Sequence, residues 1–249
     1  MDEKIFNRVE KKYLITNEEY KSLLVPIKKF MKHDGYYKSG VYNIYFDTDN
    51  YDLIIQSIEQ PIFKEKLRAR SYKGYDKVFF EIKTKLRHGT FKDENQDNNI
   101  GYKRRVLVTK KDYDDFVNKK ASFLEIANRH IEEKTDVQIA KEIDYLINYM
   151  DLKPKILVYY DRESYLDKNG LRITFDKNLT YREKNLNFSN RVHNQKYFND
   201  EKNIIMEIKS DKALPMWLVK KLSSGRIFPE RFSKVGRIYE QLFKSKKVV

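Results

Sequence analysis

The feature that most constrains the fold is a run in which cationic residues occupy every second position. Residues 63–72 read Phe-Lys-Glu-Lys-Leu-Arg-Ala-Arg-Ser-Tyr, so that Lys64, Lys66, Arg68 and Arg70 are spaced two apart. Successive side chains of a β-strand point to opposite faces, and residues two apart therefore share a face. The spacing predicts a β-strand with one cationic face.

The same alternation recurs in five further predicted strands. Their charged or polar faces carry Glu81, Lys83 and Lys85; Lys103 and Arg105; Tyr160 and Arg162; Arg172, Thr174 and Asp176; and Glu207 and Lys209. The opposite faces carry apolar residues such as Leu67, Phe80 and Ile173. One such strand is ordinary in an antiparallel sheet with a solvated face. Six of them, mostly cationic, differ from the mixed charge of a solubilising face.

Repulsion between these strands predicts the architecture. Like charges on neighbouring strands repel, and a cationic cluster costs stability unless an anion fills it. A closed or nearly closed antiparallel barrel with a polar interior and helices on its apolar outside satisfies both faces. Hydrophobic residues at three-to-four spacing within residues 112–150 predict helices between two groups of strands. We therefore predict an α+β fold forming a single domain over residues 1–249.

The charge balance predicts the class of partner. The chain carries 51 Lys and Arg against 37 Asp and Glu, a net charge of +14, which favours a polyanion. Interleaved Lys and Arg suit a chain of phosphates, since Arg binds phosphate oxygens bidentately and Lys acts as a point charge. The aromatic residues alternate away from most charges, whereas base recognition uses exposed aromatics, so no specific nucleic acid is expected. A basic nucleic-acid-binding protein remains an alternative.

Several classes of site are absent from the sequence. The chain has no cysteine, which excludes disulfides, thiolate metal sites and cysteine nucleophiles. Neither the phosphate-loop motif nor the dinucleotide-binding glycine motif occurs. The first residues lack the apolar segment of a secretory signal, and no stretch approaches the roughly 20 apolar residues of a bilayer span. These observations predict a cytoplasmic protein without a membrane span.

A carboxylate within the cationic faces would mark a metal site. Phosphoryl transfer depends on positioning and on cancelling charge, usually by a divalent metal together with Lys and Arg. Glu207 is the best candidate ligand, and Glu10 and Glu81 are weaker ones. Their oxygen atoms favour Mg²⁺ or Mn²⁺. The alternative for each is an ion pair with a neighbouring Lys or Arg.

Nine short motifs, in order along nearly the whole chain, resemble one family. They are Arg8-Val-Glu-Lys-Lys-Tyr13, Tyr45-Phe-Asp-Thr48, Lys66-Leu-Arg-Ala-Arg70, Phe80-Glu-Ile-Lys83, Tyr102-Lys-Arg-Arg105, Tyr160-Asp-Arg162, Leu171-Arg-Ile-Thr-Phe-Asp176, Met206-Glu-Ile-Lys209 and Phe232-Ser-Lys234. Together the motifs are similar to the catalytic domain of the vacuolar transporter chaperone (VTC) polyphosphate polymerases. That domain belongs to the triphosphate tunnel metalloenzymes of the CYTH-like superfamily, which implies an antiparallel eight-stranded β-barrel.

The resemblance implies an activity and roles for individual residues. The γ-phosphate of ATP would pass to a growing polyphosphate chain in a Lys- and Arg-lined tunnel, with Mn²⁺ or Mg²⁺ assisting. The implied catalytic residues are Lys12, Arg68, Arg70, Lys83, Lys103, Tyr160, Arg162, Arg172 and Lys234. Further substrate contacts are expected from Lys66, Arg105, Lys209, Arg231 and Ser233, and the metal ligand from Glu207.

One departure favours the polymerase branch over the hydrolases. The tunnel hydrolases begin with Glu-x-Glu-x-Lys, whereas this chain has Arg8 where the first glutamate would stand, followed by Glu10 and Lys12. Two alternatives stay open. The same tunnel could serve a metal-dependent triphosphatase, or a non-catalytic module that binds polyphosphate or nucleotide.

Overall fold

The computed structural model describes residues 9–59, 62–87, 99–131, 133–188, 196–197 and 204–244. The elements in those ranges are β1 (Val9–Ile15), α1 (Asn17–Phe30), β2 (Lys32–Asp47), α2 (Asp52–Ile58), β3 (Phe63–Tyr72), β4 (Lys77–Arg87), β5 (Asn99–Thr109), α3 (Lys110–Val117), α4 (Phe123–Asn128), α5 (Lys134–Tyr149), β6 (Lys153–Leu166), β7 (Arg172–Arg182), β8 (Lys196–Tyr197), β9 (Ile204–Ser210), α6 (Met216–Ser224) and α7 (Lys234–Lys244). The predicted α+β class is confirmed.

The strands form an antiparallel sheet in the order β1-β9-β7-β6-β2-β3-β4-β5, and β8 pairs with β7. The predicted antiparallel sheet with helices outside is confirmed. The described residues form nine strands in a sheet that is not closed, where the sequence predicts eight strands in a closed or nearly closed barrel. The additional strand, β8, has two residues, too few to show an alternating pattern. Closure depends on which edge strands pair, and an alternating pattern assigns faces without assigning edges.

The chain divides into two compact units. The first contains Met1–Gly40, Tyr159–Thr180 and Lys196–Ser233; the second contains Val41–Val158, Tyr181–Gln195 and Lys234–Val249. Strands β2, β6 and β7 contribute residues to both. The single domain over residues 1–249 stays a prediction.

The core of the first unit lies between the apolar faces of β1, β7 and β9 and the helices α1 and α6. Helix α1 begins at the capping box that the sequence predicts, in which Thr16 and Glu19 each bond the other's backbone N–H. Leu23 and Ile27, four residues apart, are fully buried in this core. The spacing of apolar residues therefore sets which side of the helix is buried.

The core of the second unit lies where β3, β4 and β5 are covered by α3, α4 and α5. The helices fall within the segment that the hydrophobic spacing predicts to be helical. Leu67 on β3, Ile82 on β4 and Val106 on β5 are buried on the apolar face. Because side chains alternate, this face positions the cationic residues on the other side of the same three strands.

Phe80 should be a major source of stability in the second unit. It is fully buried, and its ring lies 4.8 Å from that of Phe123 and 5.6 Å from that of Phe46, measured between centroids. We expect Phe80→Ala to lower the free energy of unfolding by about 3–5 kcal/mol, because it removes apolar contacts and leaves a cavity. Urea unfolding followed by circular dichroism measures this change. Phe228→Ala, at a side chain 69% exposed, is the matched control and should have little effect; equal losses would contradict this account of the core.

Candidate functional site

The register of the second unit places the cationic side chains in rows across β3, β4 and β5. Lys66 lies opposite Lys83, and Lys83 lies opposite Lys103. In the next row, Arg68 lies opposite Glu81, which lies opposite Arg105 in turn. The shared face that the alternation predicts for these strands is confirmed by the register. Lysines directly opposite one another repel, so this face is a strong site for an anion.

Glu81 is the counter-charge at the centre of this cluster, which we call the β3–β5 cluster. Its carboxylate is 2% exposed and accepts from Nε of Arg68 at 2.8 Å and from Nη2 of the same residue at 2.7 Å. Nζ of Lys103 lies 2.5 Å from its other oxygen, and Nε of Arg70 lies at 3.8 Å. Glu81 therefore forms ion pairs with neighbouring Arg and Lys side chains, which is the alternative to a role as a metal ligand.

These contacts shift the pKa of both partners. Burial alone would raise the pKa of Glu81, but Arg68, Arg70 and Lys103 together lower it to about 2. Burial lowers the pKa of Lys103, and the two arginines lower it further, while Glu81 opposes the change. The carboxylate therefore stays ionised at neutral pH.

Two residues of β2 complete this face. Asn43 lies opposite Arg70 and accepts from its Nε at 2.8 Å, while Tyr45 lies opposite Arg68 and its hydroxyl is 3.4 Å from Nη1 of that residue. Asn43 is buried and also donates to the carbonyl of Val158. Sequence reasoning did not single out Asn43, although its two-residue spacing from Tyr45 is the alternation that identified the charged strands.

The first unit carries a second cluster, on β1, β9, β7 and β6, which we call the β1–β9 cluster. Lys12 lies opposite Glu207, and Glu10 lies opposite Lys209, which lies opposite Arg172 in turn. Nζ of Lys12 donates to the carbonyl of Phe232 at 3.2 Å and lies 3.2 Å from Glu10. Lys12 and Lys209 thus each lie opposite a glutamate here, whereas lysines face lysines in the β3–β5 cluster.

Arg162 is the most enclosed cation of the β1–β9 cluster. Its Nε and Nη2 donate to the two oxygens of the fully buried Asp176 at 2.6 and 2.8 Å. Burial would lower the pKa of Arg162, but Asp176, with smaller contributions from Tyr160 and Glu207, raises it, so the guanidinium remains charged. The guanidinium also lies over the ring of Tyr160, 5.2 Å from its centroid.

The predicted metal ligand, Glu207, lies beside a lysine. Nζ of Lys209 is 2.9 Å from Glu207 and 3.6 Å from Glu10, and Nη2 of Arg162 is 3.8 Å from Glu207. Among the residues that the structure describes, no three His, Asp or Glu side chains are grouped to hold a metal ion. Glu207 and Glu10, whose carboxylates both lie near Nζ of Lys209, remain the candidate metal ligands.

The remaining predicted residues lie around the start of α7 and on β5. Arg231 and Ser233 lie in the segment before α7, and Lys234 is the first residue of that helix. Arg105 is exposed on β5, its guanidinium 4.8 Å from the ring centroid of Phe79. Arg8 lies outside the described residues.

Comparison with known families identifies the chain. The model of the VTC domain matches residues 7–243. The chain belongs to the VTC domain family. The resemblance seen in the nine motifs is thereby confirmed. No curated protein matches the chain.

Solved structures of triphosphate tunnel (CYTH-like) proteins resemble this member of the VTC domain family. A protein from Hippeastrum, described as a candidate adenylyl cyclase with a dominant triphosphatase activity, has a TM-score of 0.55 at 14% identity; the match covers 94% of this chain and 96% of that one. A protein from Pyrococcus horikoshii OT3 has a TM-score of 0.48 at 16% identity, over 94% and 99% of the two chains. At 14% identity, the likeness to the Hippeastrum protein concerns the fold alone.

None of the described helices is long and apolar enough to cross a bilayer.

Removing the charge of Glu81 should destabilise the VTC domain. Glu81→Gln leaves three cations without their counter-charge, and breaking a buried ion pair in this way costs about 3–5 kcal/mol of unfolding free energy. Because folding lowers the pKa of Glu81 from 4.5 to about 2, its contribution is complete above pH 4.5 and is lost as the pH falls towards 2. The difference between wild type and variant should therefore shrink over that window.

Urea unfolding at several pH values between 2 and 7 measures this difference. Glu59→Gln, which removes an exposed carboxylate of the same unit, is the control and should change little at any pH. A deficit of the Glu81 variant that stays constant from pH 7 to pH 2 would contradict the role of Glu81 as a counter-charge.

Proposed function

We propose that this VTC domain is an ATP-dependent polyphosphate polymerase that transfers the γ-phosphate of ATP to a polyphosphate chain. The observation that carries the proposal is the row of Lys66, Lys83 and Lys103 at directly opposed positions of three strands. Such a row is unfavourable by itself and is stabilised by an anion of high charge density. The family match supports phosphate chemistry as the source of that anion.

The cation types support a phosphate chain as the ligand. Lysine supplies point charges and arginine supplies directed N–H groups, and both clusters contain each type. ATP, inorganic polyphosphate and triphosphate share the linked phosphates that such side chains bind. The proposal assigns phosphate contacts to Lys12, Lys66, Arg68, Arg70, Lys83, Lys103, Arg105, Arg162, Arg172, Lys209, Arg231, Ser233 and Lys234, with Tyr160 supporting Arg162.

The reaction requires positioning more than covalent chemistry from the protein. An oxygen of the terminal phosphate of the chain attacks the γ-phosphorus of ATP, the bond from that phosphorus to the β–γ bridging oxygen breaks, and ADP leaves. Lys and Arg side chains hold the two phosphates in line and offset the negative charge of the transferring group. The attacking oxygen is ionised, so no general base is needed.

The candidate metal ligands fit a hard divalent cation. Glu207 and Glu10 offer carboxylate oxygens within one small region, since both approach Nζ of Lys209. Magnesium is commonly held by one or two carboxylates together with substrate phosphates and water. When bound, Mg²⁺ or Mn²⁺ would offset charge on the phosphate oxygens. Nζ of Lys209 would then move away from the carboxylates of Glu10 and Glu207.

A triphosphatase is the second candidate function. It is favoured by the described activity of the Hippeastrum protein, whose fold this chain shares. The same cations would hold the triphosphate, and water would replace the terminal oxygen of the chain as the attacking group. The products then distinguish the two reactions.

Incubation with ATP and Mn²⁺ should yield polyphosphate and ADP. Glu207→Gln should reduce the rate by at least about a hundredfold, because a neutral amide is a poor ligand for a hard cation. Phosphorus NMR resolves polyphosphate, orthophosphate and unreacted ATP, and Glu59→Gln is the control at an exposed glutamate. Orthophosphate alone would support the triphosphatase, and unreacted ATP would support a binding module.

Tripolyphosphate should stabilise the protein against heat. A ligand at about a hundred times its dissociation constant adds about 2.7 kcal/mol to the free energy of unfolding. We expect Lys83→Ala to reduce this stabilisation, whereas Lys111→Ala, at a side chain 82% exposed, should preserve it. Differential scanning fluorimetry measures both. Greater stabilisation by an oligonucleotide of equal phosphate content would instead favour a nucleic-acid-binding protein.

A further inference from the structure

Four arginines of the two clusters, Arg68, Arg70, Arg162 and Arg172, donate Nε to a protein acceptor. We call Nε and Nη2 the side edge, and Nη1 and Nη2 the end edge. The side edge of Arg162 donates to Asp176 at 2.6 and 2.8 Å. The side edge of Arg68 donates to Glu81 at 2.8 and 2.7 Å. In each case a carboxylate accepts from Nε and Nη2, the pair of donors with which an arginine can bind a phosphate bidentately from the side.

Arg172 is held in the same manner by two residues. Its Nε donates to Oγ of Ser164 at 3.1 Å, and its Nη2 lies 2.9 Å from Oδ2 of Asp34. Oγ of Ser164 donates to that same carboxylate oxygen at 3.0 Å. Arg172, Ser164 and Asp34 therefore form one hydrogen-bonded network. Ser164 is fully buried, so the hydroxyl has a fixed position from which to hold the guanidinium. Arg70 follows the pattern through Asn43, which accepts from its Nε.

The held side edge determines what the arginine can offer a ligand. A guanidinium has five N–H groups, and the contacts of Arg172 occupy one on Nε and one on Nη2. The described residues provide no acceptor for its Nη1. Three N–H groups on the end edge therefore remain for a phosphate, and they can bind two of its oxygens at once.

Asp34 is an unexpected residue to find beside a phosphate-binding arginine. Its negative charge repels a phosphate chain, and an ion pair as exposed as this one, at 20% and 34% for the two side chains, contributes little to stability. Neither effect accounts for a carboxylate at this place. Orientation of the guanidinium does, because a rotation of the side chain would turn the end edge away from the ligand.

We propose that Asp34, acting with Ser164, is a positioning residue that presents the end edge of Arg172 to a substrate phosphate. Asn43 holds Nε of Arg70, and Glu81 holds Nε and Nη2 of Arg68, in a similar way. The inference rests on the proposed function in that its ligand is a phosphate chain. It adds that Arg172 binds the phosphate end-on, so that the direction of its donors matters as well as its charge.

Two substitutions at Asp34 separate orientation from charge. Asp34→Ala and Asp34→Asn both remove the negative charge, but only the asparagine keeps an oxygen that accepts from Nη2. Positioning predicts that the Asn variant binds tripolyphosphate about tenfold more tightly than the Ala variant, the effect of about one directed hydrogen bond to a charged group. Isothermal titration calorimetry measures the two dissociation constants, and Asp49→Asn and Asp49→Ala, at an exposed ion pair with Lys153 and Lys155, are the matched controls.

A double-mutant cycle tests whether Asp34 acts through Arg172. A lysine at position 172 lacks the planar fork that contacts Asp34 along one edge and presents two parallel donors along the other, so Arg172→Lys should weaken binding to a similar extent as Asp34→Ala. Combined, the two changes should cause little more loss than either one alone. If activity is present, Asp34→Ala should also lower kcat by on the order of tenfold to a hundredfold, with Asp34→Asn restoring most of it.

The outcomes separate this inference from the proposed function. If wild type fails to bind tripolyphosphate, the proposed function and the inference fall together. If wild type binds but the Ala and Asn variants have equal affinity, or if the effects in the cycle add, Asp34 acts through charge alone and only the inference is overturned. Equal thermal unfolding midpoints for the Asp34 variants establish that the comparison is between folded proteins.

Discussion

Repulsion between cations on neighbouring strands is the constraint on which the rest of this structure depends. Three strands of the second unit bring Lys66, Lys83 and Lys103 to directly opposed positions, with Arg68 in the adjoining row. A protein can retain such a face only if buried carboxylates offset part of the charge or an anion does so. Glu81 provides the first of these within the described structure, and the proposed phosphate chain provides the second.

The buried carboxylates do more than offset charge. Glu81 and Asp176 take the same pair of donors from their arginines that a phosphate would otherwise take side-on. The cost of burying these ions is offset by close ion pairs, which makes each guanidinium rigid. A rigid donor loses little entropy when a ligand binds. Both clusters therefore combine high charge with fixed direction, and phosphoryl transfer depends on both.

Much of the fold could be predicted because its sequence signals are local. The alternation of Lys64 to Arg70 places these side chains on one face, and β3 has the same bounds as the predicted strand. The capping box at Thr16 marks the start of α1 for a similar reason, since both partners lie within four residues. The sequence left open whether the barrel closes, and the sheet of the described residues is not closed; closure depends on pairing between edge strands distant in sequence.

In the candidate site, too, the local features could be predicted from the sequence and the contacts between distant residues could not. Sequence by itself determined which residues are cationic, which face of each strand they occupy, and that the chain has the motifs of the VTC domain family, because side-chain alternation and short motifs are properties of neighbouring residues. Only the tertiary structure decided that Glu81 is a counter-charge to three cations and that Asp34 and Ser164 hold Arg172. Asp34 and Arg172 are far apart in the chain and meet only because β2 and β7 belong to one folded sheet. Their contact depends on distance and direction in space, which no local pattern of residues encodes.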